Sequence, residues 1–149
     1  MIEPTDDDER TNSLGLFNTA EAFRLSAMAL PNIKHGHAEK PRRFLYSHAL
    51  ELYLKAVLRQ KHRIATVRKF GHRIRLLMRE AETLGLVVGD NDRTVLALID
   101  DTDAMLDSRY IRTGSKRLGT LDEALCGTCK NIRDGVGTIL RKKGVLVRL

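Results

Sequence analysis

A chain of 149 residues, 42% hydrophobic and 30% charged with only three prolines, has the length and composition of one globular domain. No apolar run approaches the roughly 20 residues of a membrane span, and MIEPTDDDER lacks the basic-then-apolar order of a secretory signal, so a cytoplasmic protein without membrane contact is expected. The formal charge is +7, and without the acidic first ten residues 25 basic and 14 acidic residues remain, or +11. Such a surface attracts polyanions, although charge also serves solubility alone.

Residues 1–13 read as a disordered acidic leader that ends in Thr11, Asn12 and Ser13, each able to cap a helix. The domain is expected over 14–149. Leu16, Ala20, Phe23, Ala27 and Leu30 then repeat at helical spacing until Pro31 stops them. NIKHGHAEK is a polar linker whose His35 and His37 read as solvated loop residues rather than metal ligands.

The next stretch, from Pro41 to about His62, organises the rest. On a helical wheel Leu45, Ala49, Leu50, Leu52, Tyr53, Leu54, Ala56 and Val57 occupy most of the circumference. One narrow strip is polar: His48, Glu51, Lys55 and Arg59, spaced by three and four. A helix this apolar belongs in the middle of a domain, where neighbours cover it. Four polar groups on it point to a groove or a dimer contact, against the simpler reading of a solvent-facing ion pair.

Phe70, Ile74, Leu77, Ala81 and Leu84 predict a third helix, stopped by Gly85. Its other side carries Arg68, His72, Arg75 and Arg79 in one basic row if the helix extends back that far. Asp90 or Asn91 can cap a fourth helix with Val95, Leu98, Ile99, Thr102 and Leu106 inward. Asp100, Asp103 and Asp107 on its outer side could hold a hard cation, but without a ligand-rich loop they read as a solvated face that complements the basic third helix.

SRYIRTGSKRLG reads as an irregular basic segment. Thr120 and Glu123 then form a capping box that opens a last helix on Leu121, Leu125, Ile132, Val136 and Ile139. Gly127, Gly135 and Gly137 weaken it by about 1 kcal/mol each unless a neighbouring helix approaches closely there. Cys126 and Cys129 form a lone CGTC on this helix: no second ligand pair supports zinc, no preceding strand supports a redox motif, and they read as small helix residues. RKKGVLVRL closes the chain as a basic segment that frames a strand or packs on the bundle. The expected fold is therefore all-α, an up-and-down antiparallel bundle of four to five helices, with no metal and no cofactor implied.

HALELYLKAVL at 48–58, KFGHRIRLLMREAETLGL at 69–86 and RYIR at 109–112 resemble, in that order, the small prokaryotic HEPN proteins. The resemblance implies a HEPN-like bundle, commonly a homodimer, associated with RNA metabolism, toxin–antitoxin pairs and phage defence. Active members cleave RNA without a metal, using an Arg followed four to six residues later by a His on the last core helix. This chain departs from that pattern, because Arg133 is followed by Asp134 and by no histidine. Arg42 or Arg43 to His48 has the spacing, on the central helix instead. Many relatives of this kind are non-catalytic binding modules.

The candidate catalytic residues are therefore His48 and Arg43. The candidate RNA- or nucleotide-binding or interface residues are Glu51, Lys55, Arg59, His72, Arg75, Arg79, Arg109, Tyr110 and Arg112. Tyrosine stacks on a base while arginine takes phosphate oxygens, a combination that suits single-stranded RNA. Tyr110 as a core plug and Arg109 in a structural ion pair are the competing readings. Three functions follow: a module that binds RNA or a nucleotide, an RNase toxin using His48 with Arg43 or Arg112 across a dimer, or a protein-interaction module that partners an antitoxin or a nucleotidyltransferase.

Overall fold

Asn12 starts the first helix, its side-chain oxygen accepting from the Gly15 N–H at 2.8 Å, a cap worth about 1 kcal/mol. In the structure, a computed structural model that describes residues 5, 8, 10–34, 39–100, 110–113 and 116–149, helix α1 runs Ser13–Ala29. It buries Leu16, Phe17, Ala20 and Ala27. The buried Ser13 hydroxyl donates to the Ala56 carbonyl at 2.8 Å, which fixes α1 against the end of the next helix.

Helix α2 (Glu39–Leu58) is the centre of the bundle, as its apolar circumference predicts, and packs on α1 and on two helices further along the chain. Tyr46, Ala49, Leu50, Tyr53, Leu54, Ala56, Val57 and Leu58 are buried along it. It ends four residues before His62, because Arg59 to His62 turn back onto the carbonyls of Lys55, Val57 and Leu58.

The expected third helix is two helices, α3 (Ile64–Lys69) and α4 (Ile74–Thr83). Gly71, at a φ of 60°, takes the left-handed conformation that a helix cannot continue through. The basic row of Arg68, His72, Arg75 and Arg79 is thus no single ridge: Arg68 lies on α3, His72 in the turn, and Arg75 and Arg79 on α4. Helix α5 (Asp90–Asp100) buries Val95, Leu96 and Ile99. Its last residue caps α4, with the Asp100 carboxylate accepting from Ile74 N at 2.7 Å and Arg75 N at 3.0 Å. Asp100 is therefore a structural cap rather than part of a free acidic face; Thr102, Asp103, Leu106 and Asp107 lie outside the described residues.

The segment expected to be irregular contains the strands β1 (Tyr110–Thr113) and β2 (Lys116–Thr120), paired antiparallel with a register shift between Tyr110 and Arg112. The Gly-Ser between two short β-prone runs is a hairpin signal that could have located them. Helix α6 (Leu121–Lys142) follows directly after Thr120 and packs its Leu121, Leu125, Ile132, Val136 and Leu140 into the same core as α1, α2, α4 and α5. Close approach explains two of its three glycines: a Cβ on Gly135 would lie 2.9 Å from Leu86 Cδ1, and one on Gly137 would run into Leu149, whereas Gly127 faces open space. The end of the chain packs on the bundle, with Val147 buried and its carbonyl bound by Arg141 Nε at 3.1 Å.

The leader is not wholly detached. Asp8 is 4% exposed, and its carboxylate accepts from Ile64 N at 2.9 Å, capping α3, and from Thr5 N at 3.0 Å. No helix among the described residues is long and apolar enough to cross a membrane.

Candidate functional site

Residues spaced four, three, one and three apart share a face of an α-helix. On α2 this spacing places Lys40, Phe44, Ser47, His48 and Glu51 in one stripe, opposite the buried arc. That stripe forms one wall of a cleft of about 950 Å³. The other wall is His72 and Arg73 of the turn before α4, with Ile74, Ile99 and Asp100 behind them. The break at Gly71 creates this wall, since a continuous helix would carry His72 and Arg73 along its axis rather than across from α2.

Glu51 sits at the bottom. It is 5% exposed, and a buried carboxylate requires compensation. Its Oε1 lies 2.5 Å from His72 Nδ1, and its Oε2 lies 3.3 Å from Lys55 Nζ and 3.8 Å from His48 Nδ1. Two imidazoles from opposite walls are thereby oriented by one carboxylate. The His72 ring is largely open to solvent, while the His48 ring packs edge-on against Phe23 at 4.4 Å and stacks with Phe44 at 6.0 Å and an interplanar angle of 5°. Phe44 is 65% exposed, an unusual position for a phenyl ring unless something covers it.

Charge in the cleft is unbalanced. Both carboxylates are engaged, Glu51 by three cations and Asp100 by the α4 backbone. Arg73, by contrast, uses its guanidinium only on the carbonyls of Phe70 and Lys69, at 3.0 and 2.8 Å. Those bonds aim the side chain without neutralising it. A concave, partly apolar site with an exposed aromatic ring and a cation held by neutral carbonyls is suited to an anionic aromatic ligand. Among the described residues no three His, Cys, Asp or Glu side chains converge on a point that could hold a metal ion.

The candidates from the sequence divide accordingly. His48, Glu51 and His72 meet in the cleft, and Lys55 touches it through Glu51. Arg43 lines the wall but is 5% exposed, and its Nε pairs with Asp122 at 3.2 Å, so its charge is met from behind. Arg42 is likewise structural, its guanidinium bound to the carbonyls of Ala27 and Leu30. Arg59 does not belong to the groove: it donates to the carbonyls of Thr11, Asp8 and His62 and lies 3.5 Å from the Asp8 carboxylate, closing the N-terminal segment onto α2. Arg75 and Arg79 are exposed on α4. Arg109 lies outside the described residues, and Tyr110 and Arg112 are placed by their backbone in β1.

Arg133, where the last helix would carry the family's arginine, is part of a different arrangement. Its Nε donates to Glu21 Oε1 at 2.7 Å, and the same oxygen accepts from Arg24 at 3.1 Å and from the Tyr53 hydroxyl. Burial pushes the Glu21 carboxyl up, but the donors Tyr53, Arg24 and Arg133 outweigh it and hold the group below its ordinary value. The Tyr53 hydroxyl is pushed well above its ordinary value by burial and by donating to that carboxylate. This knot joins α1, α2 and α6.

Lys40, Phe44, Ser47, Arg73, Ile74 and Ile99 are the lining residues that sequence reasoning missed. The signal was present for Phe44, an aromatic outside the apolar arc at the same helical spacing as His48 and Glu51. Nothing local marks Arg73, whose position depends on the turn at Gly71. Compared with models of protein families, with curated proteins and with solved structures, the chain gives no match.

Proposed function

We propose that this chain is a small HEPN-like helical protein of the cytoplasm that binds RNA or a nucleotide through the cleft between α2 and the start of α4. The observation that carries the reading is the exposed Phe44 ring, stacked with His48, in a cleft whose two carboxylates are already satisfied while Arg73 is not. A base covers Phe44, and phosphate oxygens take the Arg73 and Lys40 side chains. The HEPN resemblance adds a toxin–antitoxin or phage-defence setting, a homodimer, and an antitoxin or nucleotidyltransferase as protein partner. An up-and-down arrangement of the helices belongs to the same resemblance.

A second reading, the metal-independent RNase, is favoured by one contact pattern. His48 and His72 both turn Nδ1 toward Glu51, which leaves each Nε2 to exchange a proton with a 2′-hydroxyl or a leaving oxygen. In this reading His48 works with His72 rather than with Arg43, which Asp122 engages.

One experiment tests both. Labelled single-stranded RNA is incubated with chelator-treated protein over a salt series, for the wild type, Phe44→Ala and His48→Ala. The binding reading expects intact RNA, affinity that falls steeply with salt, and about tenfold weaker binding for Phe44→Ala. Cleavage by the wild type that His48→Ala abolishes, with the fold retained, selects the RNase. No interaction with RNA at low salt refutes both and leaves the protein-interaction module.

A further inference from the structure

Between Glu51 and Glu80 the chain carries nine lysines and arginines and no aspartate or glutamate. A run of this kind is usually only a solvated surface. Here the fold orders it with respect to the cleft. Lys69 at the end of α3, Arg73 in the turn, and Arg75 and Arg79 one helical turn apart on α4 are all exposed. Arg73 belongs to both features: it lines the cleft, and its guanidinium is bound to the last two carbonyls of the α3 end, those of Lys69 and Phe70. The exposed cations thus lead from the cleft mouth onto α3 on one side and along α4 on the other. Arg75 and Arg79 do have acidic neighbours, Asp100 at 3.9 Å from Arg75 Nε and Glu82 near Arg79. Asp100 is occupied by the α4 backbone, and Glu82 is occupied by Arg93 at 3.0 Å through both its oxygens.

Resting on the reading of the cleft as a nucleic-acid site, we infer that its ligand is a single-stranded polynucleotide rather than a free nucleotide, with one base on Phe44 in the cleft and the adjoining phosphates on the exposed cations of α3 and α4. A free nucleotide offers one phosphate group and leaves this surface unused. A flexible single strand can follow a convex helix surface and still turn one base into a cleft, which a duplex cannot do without opening. With α4 about 15 Å and α3 about 9 Å long at 1.5 Å per residue, the cationic surface spans several nucleotides.

The test measures affinity by fluorescence anisotropy for a dinucleotide, a hexamer and a dodecamer, as RNA and as DNA, over a salt series. The inference expects affinity to rise by about tenfold or more from dinucleotide to hexamer. With four or five phosphates neutralised, the hexamer's slope of log K against log salt is about −3. Lys69→Gln with Arg79→Gln, both exposed and outside the cleft, flattens that slope by about 1.4 and leaves the dinucleotide unaffected. Phe44→Ala weakens both lengths without changing the slope. A dinucleotide that binds as tightly as the hexamer, or a slope indifferent to the double substitution, overturns the inference while leaving the cleft a nucleotide site. Equal competition by inorganic polyphosphate, with Phe44→Ala silent, also overturns it and marks an unselective anion surface. Failure of every length to bind at low salt defeats the reading of the cleft itself.

Discussion

Alanine at three positions of α6 measures how closely its neighbours approach, because the sign of each effect depends on what a new methyl group meets. At Gly127 a Cβ has no heavy atom within 4 Å. Only helix propensity changes there, so Gly127→Ala should stabilise the protein by about 0.5–1 kcal/mol. At about 2.1 cal/mol/K of unfolding entropy per residue, this raises Tm by about 2–3 °C for a chain of 149 residues. At Gly135 the same Cβ would lie 2.9 Å from Leu86 Cδ1, and Leu86 is only 4% exposed, so it has no solvent to swing into. Overpacking of about 1–3 kcal/mol outweighs the propensity gain, and Gly135→Ala should lose about 1 kcal/mol, or about 3 °C. Gly137→Ala meets Leu149, which is 45% exposed and can rotate outward, so its effect falls near zero. Thermal unfolding followed by far-UV circular dichroism reads all three. A Leu86→Ala background should convert Gly135→Ala from destabilising to stabilising, the coupling expected of residues in contact. Gly135→Ala raising Tm as much as Gly127→Ala would mean that Leu86 and α6 are not packed as described.

Two further effects follow from buried titratable groups. The N–H groups of Thr5 and Ile64, with the Thr5 hydroxyl, hold the Asp8 carboxyl down at about 2, against 3.8 ordinarily. A depressed carboxyl stabilises the fold fully above its unfolded value and loses that contribution as pH falls through the folded one. The Tm difference between wild type and Asp8→Asn should therefore shrink as pH falls from about 4 to about 2, and a constant difference would refute the capping of α3 by Asp8. Burial pushes the Cys129 thiol up to about 12. Near pH 8 iodoacetamide should accordingly leave Cys129 intact in native protein, react with half-buried Cys126, and modify both in urea. Equal native reactivity would show that this face of α6 is not packed.

The helices and the central place of α2 were legible in the sequence, because caps and apolar spacing act over a few residues. Asn12 caps α1, α6 starts at Leu121 directly after Thr120, and the apolar circumference of α2 is the core. His48 and Glu51 were legible as a polar strip for the same reason. Their partners were not, since nothing local distinguishes the four polar residues of that strip. Tertiary structure sent Arg59 to the carbonyls of Thr11 and Asp8, 48 and 51 residues away, and gave Glu51 to His72, 21 residues on. It also set Asp100 on the start of α4, 26 residues earlier in the chain, and Asp122 on Arg43 across 79 residues. A charge that leaves water must be met by whichever donor or carboxylate the packed fold brings within about 3 Å. Periodicity along a single helix carries no information about that choice, so the sequence could mark the wall of the cleft, and only the fold could close it.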